Sequence, residues 1–200
     1  MNSLEHLNQA LFLQINSGSG SPAWLLYLAT SIADGLIYLI PLTLLVMWCW
    51  GDSRQRELLM KVCLVTFLAL GVNQLIGLVW QHPRPFMVGI GHTWIAHAAD
   101  SSFPSDHATV FASVAFTLLV GGAIRSGTAA LFAGVIVSWA RIFVGVHFPF
   151  DMLGAVVIAV LTCAAITPIW RRIGRMVTTL AEQLYRIIFA RPIHAGWIRR

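Results

Sequence analysis

Charged side chains are scarce in this sequence. Lys, Arg, Asp and Glu make up only 10% of the 200 residues, whereas a soluble domain usually carries about 25%. Hydrophobic residues make up 58%, and the mean hydropathy is +0.76. This balance excludes an ordinary water-soluble domain and predicts a protein embedded in a membrane.

Cysteine is also scarce, with three residues in the whole chain. Cys49, Cys63 and Cys163 all lie inside apolar runs, and none is close to another at a metal-like spacing. We interpret them as small apolar residues within the membrane, and they say nothing about the redox compartment.

Long apolar runs account for most of the chain. Residues 62–80, 108–124, 127–144 and 152–170 are each close to the roughly 20 residues that cross a bilayer core. Residues 22–50 are too long for one straight span and are interrupted by SIADG (31–35), so we expect a span at 35–50 and an interfacial helix at 22–33. The sequence predicts an all-α polytopic membrane protein with a bundle of about five spans, and six is the alternative.

The first 53 residues contain no Lys or Arg. Without a basic start and a small-residue cleavage site, the N-terminus does not have the pattern of a secretory signal. Helical spacing of apolar residues instead predicts an amphipathic surface helix, with an apolar face formed by Leu4, Leu7, Leu11, Phe12 and Ile15. We expect one membrane-embedded domain, with N-terminal interfacial helices (1–34), a transmembrane core (35–170) and a basic cytoplasmic tail (171–200).

The basic residues predict the orientation, because cytoplasmic loops collect Lys and Arg. With five spans, eleven of the thirteen lie on one side, which we assign to the cytoplasm. The net charge of +5 then reflects topology and attraction to anionic membrane lipids, and no basic patch indicates a nucleic-acid partner. The eleven are Arg54, Arg56, Lys61, Arg125, Arg171, Arg172, Arg175, Arg186, Arg191, Arg199 and Arg200.

Polar side chains recur at the opposite, outer ends of the predicted spans. They lie in WQHPRPF (80–86), SFPSDH (102–107) and ARIFVGVHFPFD (140–151). A charge at the centre of a span costs about 2.5–3.5 kcal/mol, and less near its end, so a cluster at one depth indicates a functional site. Its members are Arg84, Ser105, Asp106, His107, Arg141, His147 and Asp151.

These residue types favour phosphoryl transfer. Two arginines offer planar, permanently charged groups that match phosphate oxygens. Pro104 is suited to the first position of a helix, which would leave the backbone N–H groups of residues 105–107 free for an anion. Two histidines can supply a nucleophile and an acid. A helical turn that begins at Pro149 would bring Asp151 to His147, and an aspartate on Nδ1–H leaves Nε2 free to attack phosphorus.

Three segments resemble the signature motifs of the type 2 phosphatidic acid phosphatase superfamily. They are PRP (83–85), PSDH (104–107) and the R-x5-H-x3-D pattern that runs from Arg141 to Asp151. The resemblance covers about residues 60–170. Within it, HTWIAHAADSSFPSDH (92–107) is similar to the bacitracin-resistance branch, the undecaprenyl-diphosphate phosphatases.

The resemblance implies an activity, a substrate and roles for the residues. It implies hydrolysis of undecaprenyl diphosphate to undecaprenyl phosphate and phosphate, in carrier-lipid recycling for cell-wall synthesis and bacitracin resistance. It places the enzyme in the bacterial inner membrane with its site facing the periplasm, and it implies no metal and no cofactor. His147 would be the nucleophile, through a phosphohistidine, with Asp151 orienting it and His107 as general acid. The phosphate would be held by Arg84, Ser105 and Arg141.

Two positions depart from the superfamily pattern. A Lys usually stands seven residues before the arginine of the first motif, and that position here is Gly77, so one phosphate contact is missing or comes from another residue. The second motif usually has Gly where this chain has Asp106. We expect the side chain of Asp106 to point away from the substrate or to accept a bond from a neighbouring basic group.

Other functions remain open on the sequence alone. The same residues would serve a phosphatidylglycerophosphate or phosphatidate phosphatase, or a lipid phosphotransferase. A transporter or lipid-binding resistance factor is the non-enzymatic alternative, although the chain shows no internal repeat and no broken mid-span helix pair. Four further polar residues could form a metal site, line a headgroup pocket or lie in a solvated loop: His82, His92, His97 and Asp100.

Overall fold

The computed structural model describes residues 3–199, and this part of the chain contains α-helices, two 3-10 turns and no strand. The predicted all-α class is confirmed. The helices are α1 (Ser3–Ile15), α2 (Ala23–Gly35), α3 (Leu39–Trp50), α4 (Ser53–Val79), α5 (Asp106–Val120), α6 (Ile124–Phe143), α7 (Pro149–Ile188) and α8 (Ala190–His194). The 3-10 turns are Leu36–Tyr38 and Pro85–Val88.

Four helical runs in the described part are long and apolar enough to cross a membrane: Ala23–Trp50, Ser53–Val79, Ile124–Phe143 and Pro149–Ile188. The predicted span at 108–124 corresponds to α5, which has 15 residues and is about 22 Å long. It is apolar but shorter than the other four. The polytopic bundle is therefore present, with one short helix among its predicted spans.

The run from 23 to 50 differs from the predicted division into an interfacial helix and a span. One 3-10 turn, Leu36–Tyr38, joins α2 directly to α3. Gly35 keeps right-handed helical dihedral angles, so the SIADG segment does not interrupt the helix. Ala29 and Ala33 are fully buried against α6, because their small side chains allow the two helices to approach closely.

The centre of the bundle is α5, which packs against α4, α6 and α7. Its buried side chains are mostly small or of medium size. At Gly134 of α6, an added Cβ would lie 2.9 Å from Cβ of Phe111, so this crossing depends on the missing side chain. Close helix packing of this kind holds bundles together in lipid, where the hydrophobic effect between helices is weak.

The helix α7 continues well beyond the predicted end of its span. It has 40 residues, about 60 Å, and it contains most of the predicted tail. Its far end packs on Arg56 of α4, which is 1% exposed and forms an ion pair with Glu182 at 3.7 Å. The rings of Trp48 and Tyr185 lie 5.6 and 4.8 Å from the same guanidinium. The tail is thereby joined to the start of α4 as part of the bundle.

At the opposite end of the bundle, α1 covers the turn between α6 and α7. Phe12 is fully buried, with its ring centroid 5.3 Å from that of Phe148. Asn8 accepts a hydrogen bond from the backbone N–H of Phe150 at 3.0 Å, which pairs a free group in the first turn of α7. Of the predicted apolar face, Leu4 and Leu7 remain exposed.

Residues 80–105, which we call the site loop, join α4 to α5 and are fixed against the α6–α7 turn. Trp94 N–H donates to the carbonyl of Val144 at 3.0 Å. Gly145 has a φ of +89°, and a Cβ there would collide with the carbonyl oxygen of His92. Only glycine therefore allows the turn and the site loop to approach each other this closely.

Candidate active site

One cavity of about 550 Å³ opens where α4 ends and α5 and α7 begin. Five of the seven predicted site residues line it: Arg84, Asp106, His107, Arg141 and His147. The other two, Ser105 and Asp151, are buried beside it, with 0% and 1% exposure. The structure thus brings together residues from three segments that lie far apart in the sequence.

His147 and Asp151 form the pair that their spacing predicted. The helix α7 begins at Pro149, and His147 Nδ1 lies 3.2 Å from Asp151 Oδ2. Both side chains are almost completely buried. On the other side of the ring, Arg84 Nη1 donates to Nε2 at 3.1 Å. Nε2 is therefore unprotonated but not free, which differs from the prediction: the guanidinium covers it.

The carboxylate of Asp151 is held by more than the imidazole. Its Oδ2 accepts the backbone N–H of Phe148 at 2.8 Å and the hydroxyl of Ser102. Ser102 is fully buried, and its Oγ also lies 3.4 Å from His147 Nδ1. Sequence reasoning missed Ser102, although its position next to the PSDH segment was a signal that could have drawn attention to it.

Arg84 lines the cavity and is 5% exposed. Its Nη1 donates to the carbonyl of Val146 at 2.9 Å, and its Nη2 donates to the carbonyl of Ser101 at 3.2 Å. Its Nε forms an ion pair with Asp100 Oδ1 at 2.8 Å. These bonds hold the guanidinium in place beside Nε2 of His147.

Arg141 faces the cavity from α6 and is 2% exposed. Its Nη1 lies 3.1 Å from the carbonyl of Ala33 and 3.4 Å from Asp34 Oδ1, so α2 also contributes to the site. The same nitrogen lies 3.3 Å from His107 Nε2, and Nη2 donates to His97 Nε2 at 2.9 Å. The contribution of α2 was absent from the sequence analysis.

The start of α5 differs from the prediction by two residues. Pro104 is not the first helical residue, because α5 begins at Asp106 and Ser105 is its N-cap. The backbone N–H of Ser105 is not free either, since it donates to the carbonyl of Asp151 at 3.3 Å. The hydroxyl of Ser105 is buried and has no hydrogen-bond partner among the described residues. A buried polar atom of this kind usually has a partner, and a phosphate oxygen would supply one.

Asp106 points toward α4 rather than toward a basic group. Its Oδ1 accepts from the side-chain amide of Asn73 at 2.8 Å, and its Oδ2 accepts from that of Gln74 at 3.2 Å. Asn73 also donates to Thr109 Oγ1 at 2.9 Å. The aspartate that departs from the superfamily pattern therefore joins the end of α4 to the start of α5.

The four further polar residues have separate partners. His82 lies 3.4 Å from Glu5, Asp100 binds Arg84, His97 binds Arg141, and the side chain of His92 is exposed outside the cavity. Within residues 3–199, no group of three or more His, Cys, Asp or Glu side chains lies together as a metal site would require. Of the four, His82, His97 and Asp100 line the cavity.

Two imidazoles in the loops of the site are shifted toward the neutral form. Burial, and then the charges of Arg141 and Arg84, lower the pKa of His147 well below its usual range. Burial and the charge of Arg84 also lower the pKa of His97. Both rings therefore present a lone pair at neutral pH, and each lone pair accepts a hydrogen bond from an arginine, Arg84 at His147 and Arg141 at His97.

The bundle and its polar cavity place the chain among all-helical membrane phosphatases. The chain belongs to the PAP2 superfamily, which its sequence matches over residues 58–175. The resemblance read from the three motifs is thus confirmed.

Similar proteins from bacteria cover most of the chain. It is 38% identical over 196 residues to "Putative undecaprenyl-diphosphatase YbjG" of Escherichia coli (strain K12), across 98% of this chain and 99% of the relative. It is 33% identical over 155 residues to "Undecaprenyl-diphosphatase BcrC" of Bacillus subtilis (strain 168), across 78% of this chain and 80% of the relative. Its fold is similar to the crystal structure of a PAP2-type phosphatidylglycerolphosphate phosphatase from Bacillus subtilis, with a TM-score of 0.63 at 20% identity. This similarity covers 86% of this chain and 89% of the crystallised chain.

Proposed function

We propose that this membrane phosphatase hydrolyses undecaprenyl diphosphate to undecaprenyl phosphate and inorganic phosphate. The observation that carries the chemistry is the buried His147–Asp151 pair, whose Nε2 faces a cavity with two arginines. The choice of lipid is supported by the names of the two bacterial relatives, one of which aligns with nearly the whole chain.

The proposed reaction has two steps. Phosphate oxygens first replace the imidazole as the acceptor for Arg84, which uncovers Nε2 of His147. Phosphate likewise replaces His107 as an acceptor for Arg141, and His107 becomes protonated beside the bound anion. Nε2 of His147 bonds to the terminal phosphorus while the bond from that phosphorus to the bridging oxygen breaks, and His107 gives its proton to the departing lipid phosphate. Water, deprotonated by the now neutral His107, then attacks the phosphorus, the bond from phosphorus to Nε2 breaks, and inorganic phosphate leaves.

The remaining site residues bind and orient. Asp151, held by Ser102 and the N–H of Phe148, keeps the proton of His147 on Nδ1 and stabilises the imidazolium that forms. Arg84, Arg141 and the unpartnered hydroxyl of Ser105 hold phosphate oxygens. A preorganised set of donors of this kind stabilises charge that develops in the transition state.

A second cavity supports a lipid substrate. It has a volume of about 660 Å³, lies between the α2–α3 run and α5, and shares His107 with the first cavity. We call it the tail groove. Apart from His107 and Asp34, its lining is apolar or aromatic, and a hydrocarbon chain whose phosphate lay at His107 would pass through it into the membrane. The lining consists of Asp34, Ile37, Tyr38, Ile40, Pro41, His107 and Val110.

The proposed location is the bacterial inner membrane, with the cavity facing the periplasm. The site lies at the C-terminal end of α4, whereas Arg54 and Arg56 lie at its N-terminal end, about 40 Å away for a helix of 27 residues. Positive residues favour the cytoplasmic side. A site on the other side would recycle the carrier lipid after cell-wall precursors are transferred, and would confer bacitracin resistance by removing the diphosphate form.

A substrate panel tests the proposal directly. The purified chain in detergent should release phosphate from undecaprenyl diphosphate much faster than from phosphatidylglycerophosphate or phosphatidate. Activity should survive EDTA, because histidine supplies both the nucleophile and the acid. A preference for phosphatidylglycerophosphate would reject the substrate, and complete loss with EDTA that Mg²⁺ restores would reject the chemistry. The matched control is His147→Ala, which should release no phosphate above background.

A further inference from the structure

We propose that His97 is a phosphate-binding residue, which takes up a proton as the diphosphate arrives and supplies the third cationic contact of the site. This inference rests on the proposed function, because it assigns a new residue to the same substrate.

The two arginines of the cavity do not offer two free positive charges. Arg84 is paired with Asp100 at 2.8 Å, and Arg141 lies 3.4 Å from Asp34. No other Lys or Arg of the described chain lines the cavity. A lipid diphosphate brings at least two negative charges at neutral pH, so the site needs positive charge beyond these two pairs.

His97 is placed to provide that charge. Its ring lies between Arg141, whose Nη2 donates to Nε2 at 2.9 Å, and the ring of His147, whose centroid is 6.2 Å away. Its Nδ1 faces the carbonyl of Ala98 at 3.2 Å, so the proton lies on Nδ1 and the lone pair on Nε2. A phosphate that binds Arg141 would replace this lone pair as the acceptor, and Nε2 would then be turned toward phosphate oxygen.

The surroundings of His97 are mostly positive or titratable. Two cations, Arg84 of the site loop and Arg141 of α6, face it, together with His107 of α5 and His147 of the α6–α7 turn. Asp100 contributes a carboxylate, with Oδ1 3.9 Å from Nδ1, and Asp34 lies on the far side of Arg141. In the free protein, burial and the arginines lower the pKa of His97. An anion beside the ring has the opposite effect, so binding should be accompanied by proton uptake and should strengthen as the pH falls.

The wall of the same cavity contains an unfilled position at Gly77. Gly77 lines the cavity from α4 and contributes no side chain. A Cβ there would lie 3.6 Å from Cβ of Ser101, which is ordinary van der Waals contact. The backbone there therefore accepts a side chain, and a lysine reaching into the cavity would return a positive charge that had been removed from His97.

The first experiment measures proton uptake. Methylenediphosphonate, which is not hydrolysed, is titrated into the detergent-solubilised full chain by calorimetry at pH 7, in two buffers of different ionisation enthalpy. The wild-type chain should take up more protons than His97→Gln, in which the amide can still accept from Arg141 but cannot titrate. His92→Ala, at an exposed histidine of the same loop, should behave as wild type. Equal uptake and equal affinity in wild type and His97→Gln would overturn the proposal.

The second experiment uses steady-state kinetics with undecaprenyl diphosphate. His97→Gln should raise KM about 10- to 100-fold, the range for loss of a hydrogen bond between charged groups, while kcat changes by less than about threefold. The double variant His97→Gln/Gly77→Lys should regain most of the affinity and lose the dependence on pH between 5 and 8, because a lysine stays charged there. Gly77→Ala in the same background should restore nothing. A fall in kcat at unchanged KM would overturn the assignment, because it would make His97 an acid or a base instead.

Further measurements distinguish a misfolded variant, a wrong proposed function and a wrong role for His97. If His97→Gln does not fold, His97→Asn replaces it, with gel filtration in detergent as the check. A wild-type chain that binds methylenediphosphonate with His97-dependent proton uptake but does not hydrolyse lipid diphosphates would reject the proposed function and support the role of His97. Hydrolysis that is indifferent to His97 would support the function and reject this inference.

Discussion

At the scale of single residues, the arginines of the site keep the histidine rings in the neutral form, whose free nitrogen can accept a hydrogen bond. Arg84 donates to His147 Nε2, and Arg141 faces the Nε2 atoms of His97 and His107. A nitrogen that accepts a hydrogen bond from guanidinium carries a lone pair. In the proposed mechanism, an incoming phosphate replaces these acceptors, so that binding of the anion also exposes the nucleophile.

We predict that the two histidines of the motifs divide the reaction between them. His147→Ala should form no phosphoenzyme, because only His147 has a buried carboxylate on its Nδ1. The rate of hydrolysis by His107→Ala should fall about 10²–10⁴-fold, as expected for loss of a general acid. Part of this rate should return when the leaving group is p-nitrophenol. Rapid-quench phosphoenzyme assays with both substrates check this. Phosphate trapped on His107, or equal rescue of both variants, would reverse the roles.

The buried state of His147 predicts how stability depends on pH. Its folded-state pKa lies below the unfolded value of about 6.5, so the unfolded chain binds the additional proton as the pH falls. The contribution of the neutral His147 to the free energy of unfolding should therefore be complete above about pH 7 and should decrease toward pH 5. His97 should contribute in the same direction. Thermal unfolding in detergent between pH 5 and 8 measures this. His147→Gln should show a weaker dependence, and an unchanged slope would contradict the explanation.

At the scale of helices, the α2–α3 run and α5 form the two walls of the tail groove, next to His107. The contacts of Arg141 with Ala33 and Asp34 fix the run against α6. Residues 23–50 would not form this wall if they were divided between a surface helix and a separate span. The continuity of the run therefore matters for the proposed substrate.

We predict that filling the tail groove discriminates against long lipids. Val110→Trp should raise KM for undecaprenyl diphosphate about tenfold, because the indole would occupy the path of the chain, while hydrolysis of p-nitrophenyl phosphate should stay within about twofold. Kinetics with both substrates measure the difference. The control is Val135→Trp, at a 61% exposed position of α6, which should affect neither substrate. Equal losses of activity on both substrates would mean that the variant disturbs the site. No loss of activity on either substrate would mean that the lipid chain does not lie in the tail groove.

At the scale of the whole molecule, the site and most of the basic residues outside it occupy opposite ends of the bundle. The site loop and α1 close one end, and Arg56, with its partners on α7, closes the other. A phosphatase of this shape can act on a lipid headgroup at one membrane face only. Its orientation therefore decides which pool of lipid it uses.

We predict that the site loop faces the periplasm, on the basis of the eleven basic residues at the other side. In a chain without its native cysteines, Ala96→Cys should react with an impermeant maleimide in intact cells, whereas Ser53→Cys should react only after lysis. Both positions are exposed. The reverse labelling pattern would invert the topology and place the site in the cytoplasm.

Local features of the sequence determined the class of fold and the centre of the site. Apolar runs of about 20 residues define helices wherever they occur, because backbone groups in lipid must bond within the segment. The pairing of His147 with Asp151 depends only on one helical turn that begins at Pro149. The three motifs identified the family for a similar reason, because each is a short segment at the end of a helix and is recognisable without the rest of the chain.

Tertiary structure alone decided the partners that cross the bundle. Arg141 meets Ala33 and Asp34, more than 100 residues away in the sequence, and Ser102 reaches Asp151 across 49 residues. The cover of Arg84 over Nε2 and the position of His97 likewise follow from how the site loop rests on the α6–α7 turn. Hydropathy and spacing describe one segment at a time, whereas these contacts depend on the packing of several helices at once.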